Sequence, residues 1–187
     1  MEWRNEQGQL HRVDGPAIVR SYGTQEWYLN GKRHRTDGPA IDWGDGSVEW
    51  WVNDLRHRDD GPALTCINDS QWWYINGQLH RVDGPAIEYT DGKQEWYINN
   101  QLHRLDGPAR IWADGSVEWW FNDKLHRDDG PARVWANNTQ EWWVNGQRHR
   151  IDGPAIECVN GSTEWWLKGR PLTQFEVWVL AGTKEQA

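Results

Sequence analysis

The chain has 187 residues and carries 20 Lys and Arg against 28 Asp and Glu, a net charge of −8. That balance opposes sequence-independent binding to nucleic acid or anionic lipid, since both need a surplus of positive charge. Aliphatic residues are scarce and 17 Trp carry much of the apolar area, which argues against an ordinary two-layer globule and for a repeat array.

In chain order, residues 1–10 read as a degraded repeat, with Trp3 and Gly8 near their expected places, that serves as an N-terminal cap. The opening Met1-Glu2-Trp3-Arg4-Asn5-Glu6 has no apolar signal core, and no apolar run approaches the roughly 20 residues that span a bilayer; a soluble, cytoplasmic protein is expected. The two cysteines, Cys66 and Cys158, form no CxxC or Cys/His pairing, which fits a reducing compartment. The motif His-Arg-x-Asp-Gly-Pro-Ala then begins at His11, His34, His57, His80, His103, His126 and His149, a constant step of 23 residues, so that seven copies fill residues 11–171. Each motif is followed by a short apolar stretch such as Ile41-Asp42-Trp43. A turn dipeptide comes next, Tyr22-Gly23, Asp45-Gly46, Asn68-Asp69, Asp91-Gly92, Asp114-Gly115, Asn137-Asn138 or Asn160-Gly161. After it stands Glu-Trp-aromatic-aliphatic, as in Glu49-Trp50-Trp51-Val52, and a second turn such as Asn30-Gly31, Asn76-Gly77 or Asn145-Gly146. Two turns per unit predict two short strands per unit, in an all-β array of antiparallel hairpins forming an elongated, twisted or curled sheet. The prolines, Pro16 to Pro154, stand at the first residue of a strand, where a missing N–H does least harm.

The first turn dipeptides read mostly as type I′ signals, because both central residues then need positive φ. With Asp45-Gly46 as a two-residue loop, the register puts Trp50 opposite Ile41 and Trp51 opposite Ala40. One face then collects Trp27, Trp50, Trp73, Trp96, Trp119, Trp142 and Trp165 with Leu29, Val52 and Ile75, and with Ile18, Ile41, Leu64, Ile87 and Ile156; this is the expected buried face. The other face carries Glu26, Glu49, Glu95, Glu118, Glu141 and Glu164 beside a second aromatic column, Tyr28, Trp51, Tyr74, Tyr97, Trp120, Trp143 and Trp166. Arg110 and Arg133 interrupt the inward aliphatic pattern. Residues 42–63 match residues 111–132 better than they match their neighbours, as expected if a three-repeat block of 69 residues was duplicated or if the sheet has a longer superperiod. In residues 172–187, Thr173 with Glu176 reads as a capping box and Leu172 with Val177 as a hydrophobic staple, predicting a short capping helix over 174–181 that ends at Gly182.

Read as aromatic-x-Asn-Gly-Lys-x-His, then Gly, then Asp-Gly-Ser, the units resemble MORN repeats. Residues 26–46 show it best, with Tyr28, Asn30-Gly31-Lys32-Arg33-His34 and Asp45-Gly46. The resemblance implies hairpins stacked into one antiparallel sheet. MORN units place Gly directly after the His position, where this chain has Arg35 and its equivalents, so no family binding residue carries over. Repeats rich in His-Arg-x-Asp-Gly-Pro-Ala also look like repeat proteins of phages and bacteria. A weaker likeness is to choline-binding repeats, in which aromatic side chains cage a quaternary ammonium group, as Trp50-Trp51 with Asp45-Gly46 would permit.

Histidines one repeat apart are about 9–10 Å apart at about 4.8 Å per strand, too far to share a zinc ion. No metal or cofactor is expected, and no phosphate loop, Gly-x-Ser-x-Gly or His-Glu-x-x-His points to an enzyme. A motif repeated seven times reads first as loop construction, with Asp accepting backbone N–H groups and His or Arg bonding the adjacent repeat. Arg58, Arg81, Arg104 and Arg127 are the alternative binding residues, since a guanidinium fork suits phosphate or carboxylate. The ring column from Tyr28 to Trp166 is the other candidate surface, because rings on both faces of an open sheet call for self-association or a protein partner. The expectation is a non-enzymatic protein-binding or scaffolding surface. The alternative is a small-ligand binder, taking a nucleotide-like anion at the arginines or a cation or sugar at the rings.

Overall fold

The computed structural model describes residues 1–173, 175–177 and 179. It is nearly all β, with 28 strands of two residues each. In the first repeat Ile18–Val19 pairs with Gln25–Glu26; the chain then bends at Trp27 into Tyr28–Leu29, which pairs with Lys32–Arg33. The first pairs of all repeats join in meander order into one 14-stranded antiparallel sheet, and each second pair is a separate side hairpin. The chain packs as two compact units, Met1–Gln101 and Leu102–Ala187. No helix among the described residues is long and apolar enough to cross a membrane.

Trp27 serves both ladders: its N–H donates to Ala40 O at 2.8 Å and its carbonyl accepts from His34 N at 3.2 Å. Trp50, Trp73, Trp119 and Trp142 repeat this pattern. Residues 35–39 therefore leave the ladder and return to it, and the His-Arg-x-Asp-Gly-Pro segment is a loop lying over the first Trp of the preceding repeat.

The two turns exchange the roles expected of them. The side hairpins hold the type I′ turns, with φ of 50° at Asn30 and 79° at Gly31. In the sheet pairs only the second residue of each dipeptide is left-handed, as at Gly23, Gly92 and Asp69. There Gly23 N donates to Arg20 O and Arg20 N to Thr24 O, the three-residue loop of a type I turn followed by a left-handed residue. Asp91, Asp114, Asn68, Asn137 and Asn160 each accept the N–H two residues on, which is why a short polar side chain stands there.

One extra loop residue moves the register by one. Ile41 faces Glu49 and Asp42 faces Val48, so the expected pairing of Trp50 with Ile41 is corrected and the aliphatic set changes sides. Ile18, Glu26, Ile41, Glu49, Leu64, Trp72, Ile87 and Glu95 form one row across the first unit. Arg110, Glu118, Arg133, Glu141, Ile156 and Glu164 form its counterpart in the second. The Glu face is the buried one: Glu26, Glu49, Glu95, Glu118 and Glu141 are all at least 94 % enclosed, and the first Trp column is half-buried on the opposite side.

Buried carboxylates demand partners, and each has them. Glu49 accepts from Trp43 Nε1, Trp51 Nε1 and Arg56 Nε at 2.9–3.1 Å. Glu118 lies between Arg110 and Arg133 at 3.1 and 2.8 Å and also accepts from Trp120 Nε1. The two arginines that interrupt the sequence pattern are thus the charge partners of the Glu row. Trp3 repeats the bend pattern of Trp27, and the N-terminal hairpin closes through Asn5, whose side chain accepts from Gln7 N and Gln9 N. At the other end Thr173 Oγ1 accepts from Glu176 N while Glu176 Oε2 accepts from Thr173 N, the capping box. Residues 175–177 and 179 are helical; Gln174, Trp178 and 180–182 of the expected helix lie outside the described residues.

A candidate binding face built from the loops

The motif closes on itself through its arginine. In all seven loops Arg Nε donates to the Asp two residues on, at 2.7–3.1 Å. Its NH1 donates to the carbonyl of the following Pro, at 3.1–3.4 Å. The guanidinium also stacks on the first Trp of the preceding repeat: Arg58 Cζ stands 4.0 Å from the Trp50 ring centre, Arg81 4.0 Å from Trp73, Arg127 4.2 Å from Trp119 and Arg150 3.9 Å from Trp142. This packing explains the glycine, because a Cβ at Gly38 would lie 2.6 Å from Arg35 Cζ and one at Gly61 3.0 Å from Arg58 Cζ. Asp14, Asp37, Asp60, Asp106 and Asp129 titrate below the ordinary carboxylate range, chiefly because of the hydrogen bond from the neighbouring Arg.

The histidines tie each loop to the side-hairpin turn that follows it in the same repeat. His11 Nδ1 accepts from Asn30 N at 3.0 Å, His57 from Asn76 N, His126 from Asn145 N and His149 from Lys168 N. That pattern assigns the ring proton to Nε2. His therefore bonds the side-hairpin turn of its own 23-residue unit, and the contact with a neighbouring unit that was expected of His or Arg is made by Arg, which stacks on the first Trp of the unit before. Arg also bonds Asp within the loop, where Asp was expected to accept backbone N–H groups. Among the described residues no three His, Cys, Asp or Glu are grouped to hold a metal ion.

Between successive loops lie open clefts. Within the second unit one of about 580 Å³ is lined by Arg104, Leu105, Asp106, Trp119, Phe121 and Asp128, among others. The next, of about 800 Å³, has Trp142 and Val144 among its lining residues, with Asp129 and Asp152 at its sides. The first unit has the same construction around Trp27 with Leu29 and around Trp73 with Ile75. The residue at the variable position of the motif projects outward: Val13, Val82 and Leu105 are 82–83 % exposed and Ile151 66 %. These variable residues and the first Trp column escape a sequence reading that assigns that column to the core; their signal is the loop inserted at each Trp.

The opposite face places the second candidate set differently. Trp51, Trp120, Trp143 and Trp166 spend their indole N–H on the Glu two residues before them, and Tyr28 donates its hydroxyl proton to Glu26. Arg33 stacks between Tyr28 and Trp51, Arg56 between Trp51 and Tyr74, and Arg148 between Trp143 and Trp166, at 5.0–5.9 Å from the ring centres. In those steps the space between rings that a cationic ligand would take is filled by the chain's own guanidinium. Comparison with protein-family models and with curated proteins gives no match for this chain.

Proposed function

We propose that the chain is a non-enzymatic, MORN-like repeat protein of the cytoplasm whose loop face is a protein-binding scaffold. The supporting observation is the repetition of one cleft, floored by Trp and an aliphatic or Phe side chain, between loops whose Arg, Asp and Gly-Pro hold one another rigid. Exposed Val82, Leu105 and Ile151 add apolar contact area at its rim. The two unpaired cysteines accord with a reducing compartment. The small-anion reading has less support, because Nε and NH1 of Arg58, Arg81, Arg104 and Arg127 each donate to an Asp or Pro oxygen of their own loop.

A photo-crosslinking amino acid placed at Leu105 or Val82 tests the reading against one placed at Tyr74 on the opposite face. Protein adducts from the loop positions and none from Tyr74 are expected. Equal capture from both faces, or capture from Tyr74 alone, removes the loop face as the binding surface.

A further inference from the structure

Resting on the loop face as a protein-binding surface, we propose that its occupant is an extended polyproline II segment carrying a positive charge at every third residue. The first argument is spacing. Equivalent clefts within one unit are two strands apart, about 9.4–9.8 Å at about 4.7–4.9 Å per strand. A polyproline II helix advances about 9.3 Å in its three-residue turn. A β-strand ligand returns a side chain to the same face about every 6.7 Å and an α-helix turns every 5.4 Å, so neither keeps step with the clefts.

The second argument is charge. The motif turns its carboxylates outward and its guanidiniums inward: the Asp side chains are 68–86 % exposed and the Arg side chains 21–27 %. Asp128, at the variable position and clipped to no Arg, is 85 % exposed and adds to the wall shared by the two clefts of the second unit. A partner sees the carboxylates first, and a cationic side chain is the complement.

The second-column indoles are spent on glutamates, but Trp119 and Trp142, which line the two clefts, have no acceptor for Nε1 among the described residues and are not sealed from solvent there. An indole N–H beside an apolar floor of Phe121 or Val144 suits a backbone whose carbonyls are all unpaired and whose proline rings need an aromatic surface.

Isothermal titration of the full chain with three twelve-residue peptides tests this: (Arg-Pro-Pro)4, (Glu-Pro-Pro)4, and two copies of Arg-Arg-Pro-Pro-Pro-Pro, which has the same composition as the first with the arginines paired. The expected result is binding of (Arg-Pro-Pro)4 at least tenfold tighter than of the paired-arginine peptide, weakening as salt rises, and none of (Glu-Pro-Pro)4. Asp128→Lys and Leu105→Ser should each weaken (Arg-Pro-Pro)4 about tenfold without lowering the melting temperature, since neither residue belongs to an Arg clip. Equal affinity for the two arginine peptides, or indifference to Asp128→Lys, overturns the proposal. If (Arg-Pro-Pro)4 fails while the crosslinker at Leu105 still captures protein, the occupant's chemistry is wrong and the binding face stands; failure of both removes the face as well.

Discussion

The buried row of the first unit runs Ile41, Glu49, Leu64, Trp72, Ile87, and each carboxylate draws its partners from outside the row, as Glu49 does from Arg56 and two indoles. In the second unit the row alternates in sign through Arg110, Glu118, Arg133 and Glu141, and Glu118 finds both its charge partners inside it. The backbone register is the same in both. What the scaffold requires is therefore a row of side chains that fill the face with every charge answered, and hydrocarbon and ion pairing satisfy it equally. The longer-period match between residues 42–63 and 111–132 sets two such rows side by side: Glu49 and Glu118 occupy the same place, 69 residues apart, with different company.

Changing the company should separate the two solutions. Glu118→Ala leaves two guanidiniums without the buried carboxylate between them and should cost about 3–5 kcal/mol in urea unfolding. Importing the uncharged stretch of the first unit's row, Leu64, Trp72 and Ile87, as Arg110→Leu, Glu118→Trp and Arg133→Ile together, should restore stability to the wild-type level or above it. A triple variant as unstable as Glu118→Ala would mean that the rows are not interchangeable.

The Arg clip, common to both units, should respond less strongly. Gly61→Ala pushes Arg58 off Trp50 and off the Pro62 carbonyl, a loss of about 1–2 kcal/mol in chemical unfolding. In an Arg58→Ala background the same change should be nearly neutral, because the clash partner is gone. Smaller again is Asp54→Gly in a side-hairpin turn. It removes the acceptor for Arg33 N but relieves a left-handed non-glycine residue, so the net loss should stay under about 1 kcal/mol by thermal melting.

Acidification should give the mildest and most graded response. The carboxyls of Asp14, Asp37, Asp60, Asp106 and Asp129 titrate lower folded than unfolded, so their contribution is complete above the ordinary carboxylate range and fades as pH falls through the folded values. Glu176, drawn down to about 2 first by the hydrogen bond from Arg170, should keep the C-terminal capping box to the lowest pH. The Thr173 amide signal in an NMR pH titration reports that order.

The repeat, its all-β character, the shared side of Glu and the second aromatic, and the capping box were all legible in the residues, because period, turn chemistry and side-chain alternation are local. Register was not. Asp-Gly fits both a two-residue type I′ loop and a three-residue loop with one left-handed residue, and that single residue reverses which face Ile41 occupies. The candidate site suffered for the same reason: with the first Trp column assigned to the core, the clefts over Trp73 in one unit and over Trp119 in the other had no place. The fate of the arginines was open too, since a guanidinium fork suits a ligand as well as an Asp two residues away; the 2.7 Å contact of Arg127 with Asp129 over the Trp119 ring shows the partner that Nε takes within the chain.

The function proposed for the loop face requires that the motif arginine build the loop and not itself be the ligand contact. Thermal melting of wild type, Arg81→Ala and Arg127→Ala, alone and with a panel of nucleotides and sugar phosphates, tests it directly. The structure predicts melting points lower by several degrees, at about 2–4 °C per kcal/mol for a chain of this size, and no anion-dependent shift in any of the three. Unchanged melting of the variants together with an anion response confined to wild type would contradict it.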